Sequence, residues 1–258
     1  MKRIVQITCG MLFLTVLASA QIDSQEDTLF QVSTIDALLA GVYDGEVTFR
    51  QLAENGDCGI GTFNRLDGEM VAVDGKFFQV RVDGKVYPVS PDEKTPFACV
   101  TFFSTDKSVN LIDINSLEIL KKQLDKQLPT KNILYAIKIK GKFNYIKTRS
   151  VPAQEKPYLP LLEVVKDQVV FEFNDISGTI IGFWCPEYLA GINVVGYHLH
   201  FISDDYSSGG HLLDCRFDSL NAEIDETSDF FMVLPSDQQF RQLDLTANKE
   251  EELKKIEK

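Results

Sequence analysis

The sequence is poor in the residues that hold most metals and cofactors. Its 258 residues include three histidines, one tryptophan and five cysteines, and no two cysteines form a Cys-x-x-Cys pair. That absence removes the metal-ribbon and dithiol-redox signatures. Basic residues are also scarce, 26 against 38 acidic ones, and the formal charge of −12 argues against nucleic acid as a partner. No low-complexity linker or long helical repeat interrupts the chain. With 44% hydrophobic residues it can bury a substantial core, as one large domain or two small ones.

The chain opens with Met1-Lys2-Arg3, an apolar run from Ile4 to Leu17, and Ala18-Ser19-Ala20, the three regions of a secretory signal peptide. The apolar run is too short and wrongly flanked for a membrane span. An exported product, periplasmic or extracellular, is the expectation for residues 1–20, followed by a loose polar segment at 21–28. Cleavage after Ala20 removes Lys2 and Arg3 and takes the charge from −12 to −14. Cys58, Cys99, Cys185 and Cys215 remain; export permits disulfides, but their pairing is not readable.

All three histidines fall in Gly196-Tyr-His-Leu-His-Phe-Ile202 and the following stretch to His211. Strand side chains alternate faces, so His198 and His200 point the same way. Residues 203–210 are turn formers apart from Tyr206, and the apolar run from Leu212 to Phe217 completes a hairpin that folds His211 back beside the pair. Three imidazoles without a fourth protein ligand nearby match a catalytic zinc, which keeps a position open for water or substrate. Iron, nickel, copper and manganese also accept imidazole, so ligand type sets a preference for Zn2+. The plainer alternative is a set of ordinary strand-face histidines, and the clustering of all three weighs against it.

Elsewhere, Thr34 to Gly41 and Phe49 to Asn55 read as short capped helices. Asp67-Gly68, Asp74-Gly75 and Asp83-Gly84 divide residues 59–89 into a β-meander. A strand is expected at Phe97 to Phe103. A helix capped by Asn115 or Ser116 carries Leu117, Leu120, Leu124 and Leu128 on one face, a core stripe. Lys140-Gly141-Lys142 reads as a hairpin turn between Leu134–Ile139 and Phe143–Ile146. Pro152, Pro157 and Pro160 mark an ordered loop and a boundary between halves at 29–151 and 152–258. Further strands are expected at Val169–Phe173, Thr179–Trp184 and Phe230–Leu234, and the charged tail from Ala247 reads as a solvated end. The fold class is α+β, two linked β-rich halves with mixed sheets, a few short helices, and the metal site on a hairpin.

Proton delivery beside a metal needs a group of adjustable pKa, and with no spare histidine the role falls to carboxylates. Glu69 at a strand start and Arg149 at a strand end before the proline-rich loop are candidates, though each could equally be a surface residue on this ground alone.

The segments Leu66-Asp-Gly-Glu69, Lys94-Thr-Pro-Phe97, Lys147-Thr-Arg-Ser-Val-Pro152, Gly178-Thr-Ile-Ile-Gly-Phe183, Gly196-Tyr-His-Leu-His-Phe-Ile202 and Ser208-Gly-Gly-His211 resemble the α-acetolactate decarboxylase family, in the family's order and from about Phe30 to the C-terminus. The resemblance implies zinc on His198, His200 and His211, with Glu69 and Arg149 as the active-site glutamate and arginine. It also implies a second glutamate from the extreme C-terminus, placed by ungapped spacing on Glu257, although Glu250, Glu251 and Glu252 crowd the same tail. It implies conversion of 2-acetolactate to acetoin and carbon dioxide, a small-molecule 2-hydroxy-3-oxo acid substrate, and a homodimer. Two other readings stay open. A cupin-type oxygenase shares His-x-His but expects a nearby glutamate and a third histidine much further on, and a secreted non-catalytic metal-binding domain would use the histidines structurally.

Overall fold

The computed structural model describes residues 26–256; residues 1–20, read as a signal peptide, and Glu257 lie outside the described residues. Strand β1 (Thr28–Val32) leads into helix α1 (Ile35–Leu39), capped by Thr34, whose hydroxyl accepts from the Ala37 amide at 3.2 Å. Strand β2 (Val47–Thr48) enters helix α2 (Phe49–Ala53) through a capping box between Thr48 and Gln51. The meander follows as β3 (Cys58–Thr62), β4 (Glu69–Val73), β5 (Lys76–Val80) and β6 (Val86–Pro88). Next come β7 (Lys94–Thr95), β8 (Ala98–Thr101), β9 (Lys107–Ile114) and helix α3 (Leu117–Asp125). The remaining elements are β10 (Leu134–Ser150), α4 (Leu161–Val164), β11 (Val169–Cys185), β12 (Gly196–Ser203), β13 (Gly209–Thr227), β14 (Asp229–Val233), α5 (Gln238–Arg241) and α6 (Glu250–Ile256).

Two large sheets result, and the architecture is α+β as expected. One sheet has the order β14-β1-β8-β3-β4-β5-β6, antiparallel except that β14 runs parallel to β1. The other has the order β10-β11-β12-β13-β9, and an additional β10–β13 pairing closes β10 to β13 on themselves. Strands β9 and β10 precede Pro152 and belong to the second sheet, whereas β14 follows it and joins the first. Between the sheets, Leu29, Ile60, Val71 and Phe97 pack in one core cluster with Ile181 and Phe183. A second cluster places Leu117, Leu120 and Leu124 of α3 with Ile137, Phe143 and Phe217. The leucine stripe is therefore core. Cys58, Cys99, Cys185 and Cys215 are all buried and free.

Three expectations need correction. Lys140-Gly141-Lys142 is no turn: β10 runs through it unbroken for 17 residues, and the Leu220 side chain fills the space beside Gly141, its Cδ2 2.2 Å from where a Cβ would lie. The strands expected at 169–173 and 179–184 are one strand, β11, continuous through Gly178, which pairs with Gly141. Both glycines admit a close neighbour, the Leu220 side chain at Gly141 and the Ile202 carbonyl at Gly178. The charged tail is not simply solvated either, since α6 buries Leu253 and Ile256 while its Glu and Lys side chains pair with one another outside.

Candidate metal centre

His198 and His200 lie on the same face of β12, and cross-strand pairing sets His200 directly opposite His211 on β13. The return of the hairpin is tight because of its glycines. A Cβ on Gly209 would lie 2.6 Å from the Phe201 carbonyl oxygen, and one on Gly210, at φ +128°, would lie 2.5 Å from the Arg149 carbonyl oxygen. On the other flank β10 shifts register between Lys147 and Thr148, and this irregularity brings Arg149 opposite His211. Four candidate side chains thus converge from three adjacent strands of one sheet. Glu69 arrives from β4 of the other sheet, so the centre lies where the two sheets face each other.

The three ring centroids are 5.1 to 5.3 Å apart, and one ligand atom from each ring can be chosen so that all lie within 4.8 Å of one another. The histidines are close enough to hold one metal ion. His200 Nδ1 is 2.8 Å from the Met70 carbonyl oxygen. A carbonyl can only accept, so Nδ1 donates and Nε2 keeps its lone pair, free to face a metal ion. His200 Nε2 and His198 Nδ1 are both buried and find no hydrogen-bond partner among the described residues. Buried nitrogens of this kind are costly unless something pairs with them, and a cation does so. Burial, followed by the nearby Arg149 charge, pushes the His198 pKa down to about 3, and burial foremost holds His200 and His211 well below the usual imidazole range. All three are neutral at physiological pH, the form that binds metal. The donor set fits zinc and equally other metals that favour imidazole.

Beside the histidines, Arg149 Nη1 donates to Glu69 Oε1 at 3.2 Å, and Glu69 Oε2 lies 3.6 Å from His200 Nε2. Glu69 is 6% exposed and Arg149 5%, so neither is the surface residue its sequence context allowed. Arg149 Nη2 also donates to the Ile256 carbonyl at 3.5 Å, which brings α6 to the centre. A cavity of about 40 Å³ adjoins these groups, lined by His198, His200, His211, Glu69 and Arg149 together with apolar residues that include Leu38, Leu66, Phe97, Val151, Leu161 and Ile256. Of the expected site residues, the structure assembles His198, His200, His211, Glu69 and Arg149. The Met70 carbonyl and Ile256 were not expected. A backbone acceptor leaves no mark in sequence, but Leu253 and Ile256, three apart in the charged tail, were a readable sign of a buried helix face.

The sequence matches the model of the family described as Alpha-acetolactate decarboxylase over residues 29–247. The α-acetolactate decarboxylase of Methanosarcina mazei is 50% identical over 92% of this chain and 82% of its own length. That of Methylococcus capsulatus is 45% identical over 90% of each. The crystal structure of α-acetolactate decarboxylase from Bacillus subtilis superposes with a TM-score of 0.86 at 39% identity, covering 89% of this chain and 99% of that one. With family match, relatives and superposition agreeing over nearly all the described residues, the chain belongs to the α-acetolactate decarboxylase family.

Proposed function

We propose that this protein decarboxylates (S)-2-acetolactate to (R)-acetoin and carbon dioxide at a zinc ion held by His198, His200 and His211. The observation that carries the reading is the convergence of three buried neutral imidazoles on a buried Glu69–Arg149 pair, in a chain of this family. In the reaction the C1–C2 bond breaks, and its electron pair moves toward the adjacent ketone, giving an enediolate. A proton added at C2 completes acetoin. Zinc bound there supplies Lewis-acid stabilisation of negative charge on the substrate's neighbouring oxygens.

Arg149 contributes binding. Its Nε is buried without a partner among the described residues and its Nη2 bond to Ile256 is long, so a substrate carboxylate can take up both donors. Glu69, fixed by Arg149 against the histidines, relays a proton to the substrate from its own side of the site, and delivery from that side alone yields a single enantiomer. Glu257 is the second carboxylate of the proposal; it follows Ile256 in the sequence, and the Ile256 carbonyl is within 3.5 Å of Arg149. The apolar wall of Leu38, Leu66, Phe97 and Ile256 excludes water from the carbanionic centre. Export rests on the pattern of residues 1–20, and a homodimer on the family resemblance.

The test is acetoin formation from racemic 2-acetolactate by purified protein, as isolated, after chelation, and after zinc is restored. Activity lost with chelator and regained with zinc supports the reading. A full equivalent of bound zinc with no acetoin overturns it.

A further inference from the structure

Two buried side chains grip the turn that delivers Glu69. Gln79 on β5, 3% exposed, donates from Nε2 to the Asp67 carbonyl at 2.6 Å. Thr62 on β3, 4% exposed, donates from its hydroxyl to the Gly68 carbonyl at 2.7 Å. These are the last two peptide carbonyls before Glu69. The turn needs such support. Arg65 and Leu66 sit at φ of 65° and 56° although neither is glycine, and Asp67 adopts an inverse γ-turn (φ −77°, ψ 72°) in which the Gly68 amide donates to the Leu66 carbonyl at 2.9 Å. Backbone of this kind persists only where its surroundings over-determine it. The register sets Thr62 across from Glu69, and Gln79 across from Met70, whose carbonyl orients His200. The grip therefore comes from the strands on both sides of β4.

We infer that Gln79 and Thr62 are positioning residues for the reaction. They hold the Asp67 and Gly68 peptides so that the Glu69 carboxylate stays between Arg149, 3.2 Å away, and His200, 3.6 Å away. Gln79 acts wholly through the turn backbone, whereas Thr62 also borders the cavity. This rests on the decarboxylase reading, because the demand on Glu69 is that it pass a proton to one face of the substrate. Satisfying a buried carbonyl for stability alone is the competing role, and it makes a different prediction.

Gln79→Leu and Thr62→Val each remove the donor with little change in shape; Thr62→Ser keeps it. For the zinc-loaded proteins, kcat, KM, zinc content, melting temperature and the enantiomeric purity of the acetoin are measured. The first two variants are expected to lose kcat by on the order of 10- to 100-fold, with KM within about twofold and zinc retained. Their acetoin loses enantiomeric purity, and Thr62→Ser restores both rate and purity. Variants that melt earlier but keep wild-type kcat and purity overturn the inference. If Gln79→Leu does not fold, the Thr62 pair decides alone. If the wild type makes no acetoin, the decarboxylase reading fails first, and the positioning role is judged by crystallography: Glu69 displaced from Arg149 in Thr62→Val supports it, and Glu69 in place overturns it.

Discussion

Arg149 and Glu69 form an ion pair at 3.2 Å that joins the two sheets, with both side chains less than a tenth exposed. In such surroundings a planar two-pronged guanidinium is not replaceable by a point charge. Arg149→Lys is expected to fold and bind zinc but to lose kcat/KM on the order of 100-fold, measured on 2-acetolactate. Glu69→Gln is expected to lose about 100-fold or more in kcat at unchanged zinc content. Full activity with full metal in Glu69→Gln would remove Glu69 from proton delivery.

The histidine cluster makes folding stability depend on metal. Nothing in an unfolded chain brings His198, His200 and His211 together, so zinc, the metal proposed for this site, should bind the native state preferentially and raise its stability, by about 2.7 kcal/mol at a free zinc concentration 100 times Kd. Calorimetric melting at buffered zinc levels should show a concentration-dependent rise for the wild type and none for His211→Ala. A zinc-independent melting temperature in the wild type would argue against a native metal centre at these residues.

The local part of this site was legible and the long-range part was not. His198 and His200 share a face by strand alternation, and seven turn formers among residues 203–210 fold His211 back, so short spacing alone assembles the triad. Glu69 and Arg149 are 80 residues apart and come from different sheets; only the family resemblance brought them together. The same division holds for the fold. Asp-Gly turns and helix caps announced the meander, α1, α2 and α3. Glycine misled at Gly141 and Gly178, where it serves close approach in a long strand, because a missing Cβ looks the same in sequence whatever use is made of it. Strands β1 and β9 went unforeseen, and the pairing of β14 with β1 depends on a sheet edge no local pattern records.

Asp225 should make stability fall as pH rises through neutrality. It is fully buried on β13, its Oδ2 accepts from the Ser104 amide at 3.1 Å, and its Oδ1 has no partner among the described residues. Burial foremost pushes its pKa up to about 7. The native state therefore binds a proton that the unfolded state releases near pH 4. Its stabilising contribution is full below pH 4 and declines as pH rises through about 7. Asp225→Asn keeps the acceptor without the charge, so it should flatten that decline and be more stable than wild type at pH 8, by about 1–3 kcal/mol. Urea titrations at pH 5 and pH 8 decide, and equal pH slopes in the two proteins would show that Asp225 is not the group responsible.

The last helix offers a way to separate metal binding from turnover. Residues 248–256 supply no imidazole to the triad, yet Ile256 lines the cavity and its carbonyl accepts from Arg149. Only Leu253 and Ile256 of α6 are buried, so the helix is held by two side chains and the Arg149 bond, on a core cluster that the sheets, α1 and α4 build. Leu253→Ala, a change that costs roughly 2–5 kcal/mol in a core, should here release α6 and leave the rest folded. Zinc content and the melting temperature of the sheets are expected to stay near wild type, hydrogen exchange at residues 250–256 to accelerate, and kcat to fall. Deletion of residues 248–258 should give the same result in stronger form, because it also removes Glu257. A truncated protein that turns over at the wild-type rate would take both α6 and Glu257 out of the chemistry and leave Glu69 as the only carboxylate to carry the proton.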